Sequence, residues 1–210
     1  RPPTDEEVQF TGGPRGPQVM PGTYTVRLVV GAQTQERKVE VRLDPTISVP
    51  QTDLQTMHDM SLRLRDLQSA TNTALRALDS MKTQTEFIER TVKERLTETP
   101  KELADKLTAF KKQIEETQNK LAQPEGGLGF SGRSQLIDRI GGLFFAIDAT
   151  NAAPTPAVRD AFGEVQAEFN AKMADVNRFL NETVPQMNET LRRFNAPTLL
   201  VGKPIELPRE

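Results

Sequence analysis

Two short stretches of strict alternation are followed by long runs of three-and-four spacing, and this change of period divides the chain. After the turn Pro21-Gly22, Tyr24, Val26, Leu28 and Val30 alternate with Thr25, Arg27 and Val29, the two-residue period of a strand with one buried face. Gly31-Ala32 offers the next turn, and Val39, Val41 and Leu43 alternate with Lys38, Glu40 and Arg42. The pattern predicts a β-hairpin with strands near 23–30 and 37–43. A lone hairpin is marginal in water because its apolar face needs a second layer. That layer could be earlier strands of the same gene product, absent from this chain, or a surface of the helical region; the first is the expected source, so that residues 1–50 form a partial β-sandwich segment.

From residue 51 the period changes. Met60, Leu64, Leu67, Thr71, Ala74, Leu78, Met81, Thr85, Ile88 and Val92 lie four and three apart, which keeps one seam of a helix facing a partner. Thr52 or Asp53 can cap its start. The run ends at 97–99, so about 44 residues make a rod of roughly 66 Å. In Thr99-Pro100-Lys101-Glu102 threonine suits the cap, proline the first helical position and glutamate the closing of a capping box. The second helix carries Leu103, Leu107, Phe110, Ile114, Thr117 and Leu121, with Lys111-Glu115 and Lys112-Glu116 spaced as ion pairs on its outer faces.

A glycine-rich link, 126–132, leads to a third helix over 134–150 that presents Leu136, Ile140, Leu143, Phe144 and Ile147. Gly141-Gly142 there allows a neighbour to come close. Leu128 and Phe130 of the link are placed to tuck into the end of a bundle. Thr155-Pro156 opens a fourth helix whose apolar set runs from Val158 through Phe162, Val165, Phe169, Met173, Val176, Leu180, Val184, Met187 and Leu191 to Phe194. Pro185 predicts a kink or break near 181–185. Four amphipathic helices joined by short turns give a mainly α fold: an antiparallel four-helix bundle over 51–196, with long first and fourth helices, preceded by the hairpin. Part of the long pair is expected to project as a two-helix stalk. The extended tail, 197–210, carries Leu199-Leu200-Val201 and Ile205 and is expected to pack on the body.

Composition narrows the chemistry. The 210 residues hold 27 basic and 29 acidic side chains, which gives no broad field for a phosphate backbone or an anionic membrane, so no nucleic-acid partner is expected. The absence of cysteine excludes disulfides, thiolate catalysis and cysteine-ligated zinc. The longest apolar run, Leu143-Phe144-Phe145-Ala146-Ile147, falls far short of the about 20 residues of a membrane span. The polar start, Arg1 to Glu7, is no signal peptide, so an exported protein would need its signal further upstream.

Each candidate site has a plainer reading. His58, the one histidine, has only Asp53 and Asp59 in the same helical turns, and neighbours on a helix do not converge. Glu115-Glu116 and Glu164 with Glu168 lack the Glu-x-x-His pairs of di-metal bundles and read as surface carboxylates. Gly126-Gly127-Leu128-Gly129 follows a helix, with no Gly-Lys-Ser/Thr after it, so it reads as a linker. Lys93, Arg95, Lys101 and Lys106 are interleaved with Glu94, Glu98, Glu102 and Asp105. Asn181-Glu182-Thr183 and Asn188-Glu189-Thr190 match the N-glycosylation acceptor pattern, which is short and frequent by chance. Thr71 and Thr85 read as small residues tolerated at a seam. No catalytic residue, cofactor site or metal site is expected, and the chain is not expected to be an enzyme.

The segment Pro21-Gly22-Thr23-Tyr24-Thr25-Val26-Arg27-Leu28, the second strand through Val41-Arg42-Leu43-Asp44-Pro45, and the long helix beginning near Asp53 resemble the C-terminal region of bacterial exported proteins that carry a sortilin-type, BNR-repeat β-propeller. Such proteins tend to end in a small β-sandwich module followed by a helical segment. The resemblance implies a periplasmic or extracellular location, a non-catalytic structural or protein-interaction role, and an upstream propeller or β-sandwich polypeptide as partner in a larger assembly. The propeller and the first sandwich strands have no counterpart in this sequence. Two other readings are a free-standing coiled-coil adaptor or chaperone that grips clients between projecting helices, and the non-catalytic end of a hydrolase.

Overall fold

A computed structural model describes residues 16–95, 98–122, 135–150, 152–202 and 205. The chain forms strands β1 (Gly22–Val30) and β2 (Gln33–Val41), then helices α1 (Gln51–Arg95), α2 (Lys101–Asn119), α3 (Leu136–Asp148) and α4 (Pro156–Arg178). A π-helical turn, Phe179–Thr183, joins α4 to α5 (Val184–Arg193) without a break in direction of winding. The α4–π–α5 run is the fourth predicted helix. The fold is thus mainly helical, with four helices of which the first and last are longest, preceded by an antiparallel hairpin.

The 45-residue α1 is the spine. Met57, Ser61, Leu64, Leu67, Thr71, Ala74, Leu78, Met81, Thr85, Ile88 and Val92 are buried along it. The predicted seam holds from Leu64 onward. At its start Met57 and Ser61 take the place of Met60, which is only partly buried. Thr71 and Thr85 are fully buried, and each hydroxyl donates to the carbonyl four residues back, Leu67 and Met81, at 2.8 and 2.7 Å. Neither reaches across to another helix, so both act as small seam residues.

Ion pairs and side-chain bonds fix how the other helices lie. Glu89 meets Lys111, Lys82 meets Glu115, and Asp79 meets Gln118, so α2 runs antiparallel along the C-terminal half of α1. The amide of Ile137 donates to the carbonyl of Leu121 at 3.0 Å, so α3 starts where α2 stops and continues along the N-terminal half. The last helix returns along both: Arg139 pairs with Glu164 and Glu168, Lys120 with Asp175, and Glu102 with Arg193. At any level, therefore, three helices surround one continuous core. Among the described residues no two-helix stalk projects, because α2 and α3 in succession lie along α1.

Several local expectations are corrected by this packing. Lys111 and Glu115 do not pair with each other; each reaches α1 instead, and only Lys112–Glu116 keeps the pair within the helix. The box at Thr99-Glu102 does not form. Pro100, with non-helical φ −55° and ψ 130°, occupies the cap position itself, and Glu102 is used by Arg193. At α4 the cap is as predicted, Thr155 Oγ1 accepting from the Val158 amide at 3.3 Å with proline next. A Cβ at Gly141 or Gly142 would meet nothing within 4 Å, so these glycines mark no close helix contact. The glycine-rich link 126–132, including Leu128 and Phe130, lies outside the described residues.

Pro185 has the anticipated effect in an unanticipated form. It has no N–H for the carbonyl of Asn181, and its ring would crowd that carbonyl. The helix widens by one residue, with the Val184 amide donating to Phe179, instead of breaking. Phe179 and Leu180 both become buried, and the Phe179 ring stacks on Phe110 of α2, centroids 5.4 Å apart.

The hairpin differs from its prediction in its second strand. β2 begins at Gln33, directly after the turn, and ends at Val41, so it is 33–41 rather than 37–43. Gly31 has φ +58° and Ala32 does not share the positive sign, the pattern of a type II′ turn, which forces pairing from the first residue after it. In the resulting register Val30 faces Gln33 and Gly22 faces Val41.

The seam yields a direct stability test. Leu78→Ala removes a fully buried side chain from the middle of α1 and is expected to cost about 2–5 kcal/mol. Thr85→Val keeps the volume and is expected to stay within about 1 kcal/mol. Urea unfolding of both variants checks the contrast, and a costly Thr85→Val would reveal a hydrogen-bonding role across the seam.

Candidate functional site

Register decides what the hairpin offers. Side chains of Tyr24, Val26, Leu28 and Val30 share a face with Val39 and Val41, and with Arg37, Gln35 and Gln33 toward the tip. The other face carries Thr23, Thr25, Arg27 and Val29 opposite Glu40, Lys38, Glu36 and Thr34, with Arg27 and Glu36 paired at 2.6 Å. An apolar stripe therefore runs the length of β1 on one face only. It is uncovered: Val26, Leu28 and Val30 are 56, 62 and 65% exposed. Both strands are also edges, each with a row of backbone groups able to pair with another strand.

The stripe continues at its root into a cleft of about 270 Å³ between the hairpin and the bundle. Val19, Met20, Val41, Leu43, Ile47, Leu54 and Met57 supply its apolar wall. Polar groups there fasten the hairpin to the helices. Gln18 is the central piece: its amide donates to Asp148 Oδ1 at 3.3 Å, its side chain donates to the Asp148 carbonyl at 3.0 Å, and its own carbonyl lies 2.8 Å from His58 Nδ1. A carbonyl only accepts, so Nδ1 carries the proton. His58 is thus a mounting residue, and Asp59 accepts from Gln55 instead of meeting it.

On the other side of the root, Asp44 Oδ1 accepts from both the amide and the hydroxyl of Thr46, at 2.8 and 2.6 Å, closing the turn that sends the chain into α1. These bonds, the hydroxyl first, hold the Asp44 carboxyl below its ordinary 3.8. Arg42 is held above its ordinary value by Glu40.

The remaining sequence candidates are not brought together. Glu164 and Glu168 are gripped by Arg139, Glu115 pairs with Lys82, and Glu116 pairs with Lys112. Lys93 and Arg95 lie in the last turn of α1, where they meet the negative end of its dipole. Among the described residues no group of three or more His, Asp or Glu side chains could hold a metal ion, and no helix is long and apolar enough to cross a membrane.

Asn188, which opens one of the acceptor matches, is buried with its amide committed to the tail. Asn181 lies exposed in the π turn. At the end of α5 the Ala196 amide donates to Leu191 and the Asn195 amide to Arg192, a Schellman-type ending with Asn195 at φ +53°. It turns the chain back along its own helix. Asn188 then bonds both backbone groups of Leu199, Gln84 of α1 both of Leu200, and Asn177 of α4 both of Ile205. Sequence reasoning missed this set of amides; its trace is a polar Asn188 beside the buried Met187 and Leu191.

A scan against protein-family models and searches of curated proteins and of solved structures find no match for this chain.

The Asp44 turn carries a pH dependence with a definite sign. A lowered folded-state pKa means that the unfolded chain binds the proton first, so the turn's contribution is complete above 3.8 and is lost as pH falls through the lowered value. Thr46→Val removes the larger of the two causes. Carboxyl-carbon NMR titration is expected to show the Asp44 midpoint moving up toward 3.8 in that variant; an unchanged midpoint would remove the hydroxyl from the account.

Proposed function

We propose that this chain is a non-catalytic structural or protein-interaction module that docks, through the apolar face of its hairpin, on a β-sheet of a larger exported polypeptide. The observation that carries this reading is the stripe Tyr24, Val26, Leu28 and Val30, exposed on one face while the opposite face, apart from Val29, is polar and ion-paired. A two-stranded sheet with one apolar face is half of a two-layer structure, and sheets pack face to face at about 10 Å to bury such stripes. The bundle does not supply the second layer. Gln18, His58, Asp148 and the Asp44 turn instead hold the hairpin at its root, leaving its length available.

The partner in this proposal is a sortilin-type, BNR-repeat propeller protein or its adjoining β-sandwich, and the location periplasmic or extracellular. Both follow from the resemblance of the hairpin segment and long helix to the ends of such proteins. A client-gripping chaperone fits less well. It needs an apolar groove between the long helices, whereas the seams of α1 and α4 are buried against the rest of the bundle.

The double substitution Val26→Lys and Leu28→Lys tests the docking face. Both side chains are exposed, so helical content and thermal midpoint are expected to stay as they were. Retention of the chain in its native assembly, read by size exclusion with mass detection, is expected to fall at least tenfold. Unchanged retention would place the contact elsewhere and end this reading of the hairpin.

A further inference from the structure

A second surface of the molecule grips the chain's own tail by its backbone, and it is independent of the hairpin. Asn188 Oδ1 accepts from the Leu199 amide at 2.7 Å while its Nδ2 donates to the Leu199 carbonyl at 2.9 Å. Gln84 treats Leu200 in the same way, at 2.7 and 3.3 Å, and Asn177 treats Ile205 so, at 3.2 and 3.3 Å. A primary amide presented like this satisfies the N–H and C=O of one extended residue as a neighbouring strand would, and reads nothing of its side chain. Among the described tail residues, selectivity comes from two positions. Leu199 and Ile205 are buried at 3 and 6% exposure, whereas Leu200 points outward at 78%.

We propose that the groove between α1 and the α4–π–α5 helix is a binding site for an extended peptide segment supplied in trans, with branched aliphatic residues at its first and seventh positions, and that the tail is its resident occupant in cis. The tail is suited to exchange. Among its described residues only two side chains, Leu199 and Ile205, are buried, with backbone bonds to three amides besides, and the tail leaves the last helix by a single reversal at Asn195. The gripping amides Asn177 and Asn188 stand on either side of the π turn, an element that often marks functional sites. The trans occupant is a segment of a partner polypeptide, not the tail of a second copy. A second tail brings identical contacts at a lower effective concentration than the attached one, so it loses the competition. The tail thereby sets a threshold that a better-fitting segment must exceed.

The test uses the full chain with Leu199→Asp, which puts a charge into the buried pocket and expels the tail. The probe is a fluorescein-labelled synthetic peptide with the sequence of residues 196–210. Anisotropy is expected to show saturable one-site binding to this variant and at least tenfold weaker binding to the unsubstituted chain. Adding Asn188→Ala to the variant is expected to weaken binding at least tenfold again. No binding to a variant that melts like the unsubstituted chain would overturn the proposal. Should Leu199→Asp fail to fold, amide hydrogen exchange on the unsubstituted chain decides. The Leu199 and Leu200 amides are expected to exchange at least a hundredfold faster than those of Leu64 and Leu78, and equal protection would show a permanent part of the core. A concentration-dependent dimer of the unsubstituted chain would overturn the choice of occupant in favour of a second copy.

Discussion

Everything in the helical body depends on one constraint: the seam of α1 must be covered along its whole 45-residue length. Neither α2 nor α3 is long enough to do this alone, so the two lie in succession, joined by the Ile137–Leu121 backbone bond. The last helix must then pass both, and its π turn is what keeps an apolar face toward them across Pro185. Phe179 stacking on Phe110 is the visible consequence. Among the described residues, the groove that remains between α1 and the last helix is occupied by the tail.

The hairpin obeys the opposite rule. Its turn and register are well formed, with nine pairs from Gly22–Val41 to Val30–Gln33, yet its apolar face stays in solvent. A two-stranded sheet alone buries too little to be independently stable. The polar anchors at its root fix where the sheet stands without covering it. This contrast between a closed body and an open appendage is the physical basis for the proposal that the molecule is an interaction module.

Much of the architecture was legible in periodicity. The heptad-like spacing from Leu64 to Val92, the alternation from Tyr24 to Val30 and the Thr155-Pro156 cap each state a local preference that the tertiary structure keeps. What was not legible involves choices between partners. Gln33, Thr34, Gln35 and Glu36 show no alternation, so the start of β2 is set by the turn and by pairing with β1, not by its own residues. Lys111 and Glu115 have the right spacing to pair but find opposite charges on α1. The amides Gln84, Asn177 and Asn188 share one partner, the tail, only because the chain reverses at Asn195. The candidate surface is built from backbone register and exposure, which composition does not encode.

The most direct test of the central claim, that the hairpin is a sheet lacking its second layer, is residue-resolved amide hydrogen exchange on the isolated chain. The account predicts that amides paired between β1 and β2 exchange orders of magnitude faster than those of α1 around Leu67 and Leu78, because an uncovered hairpin opens locally. Protection of Val26, Leu28 and Val39 equal to that of the α1 seam would mean that the hairpin is already covered, and would contradict the claim.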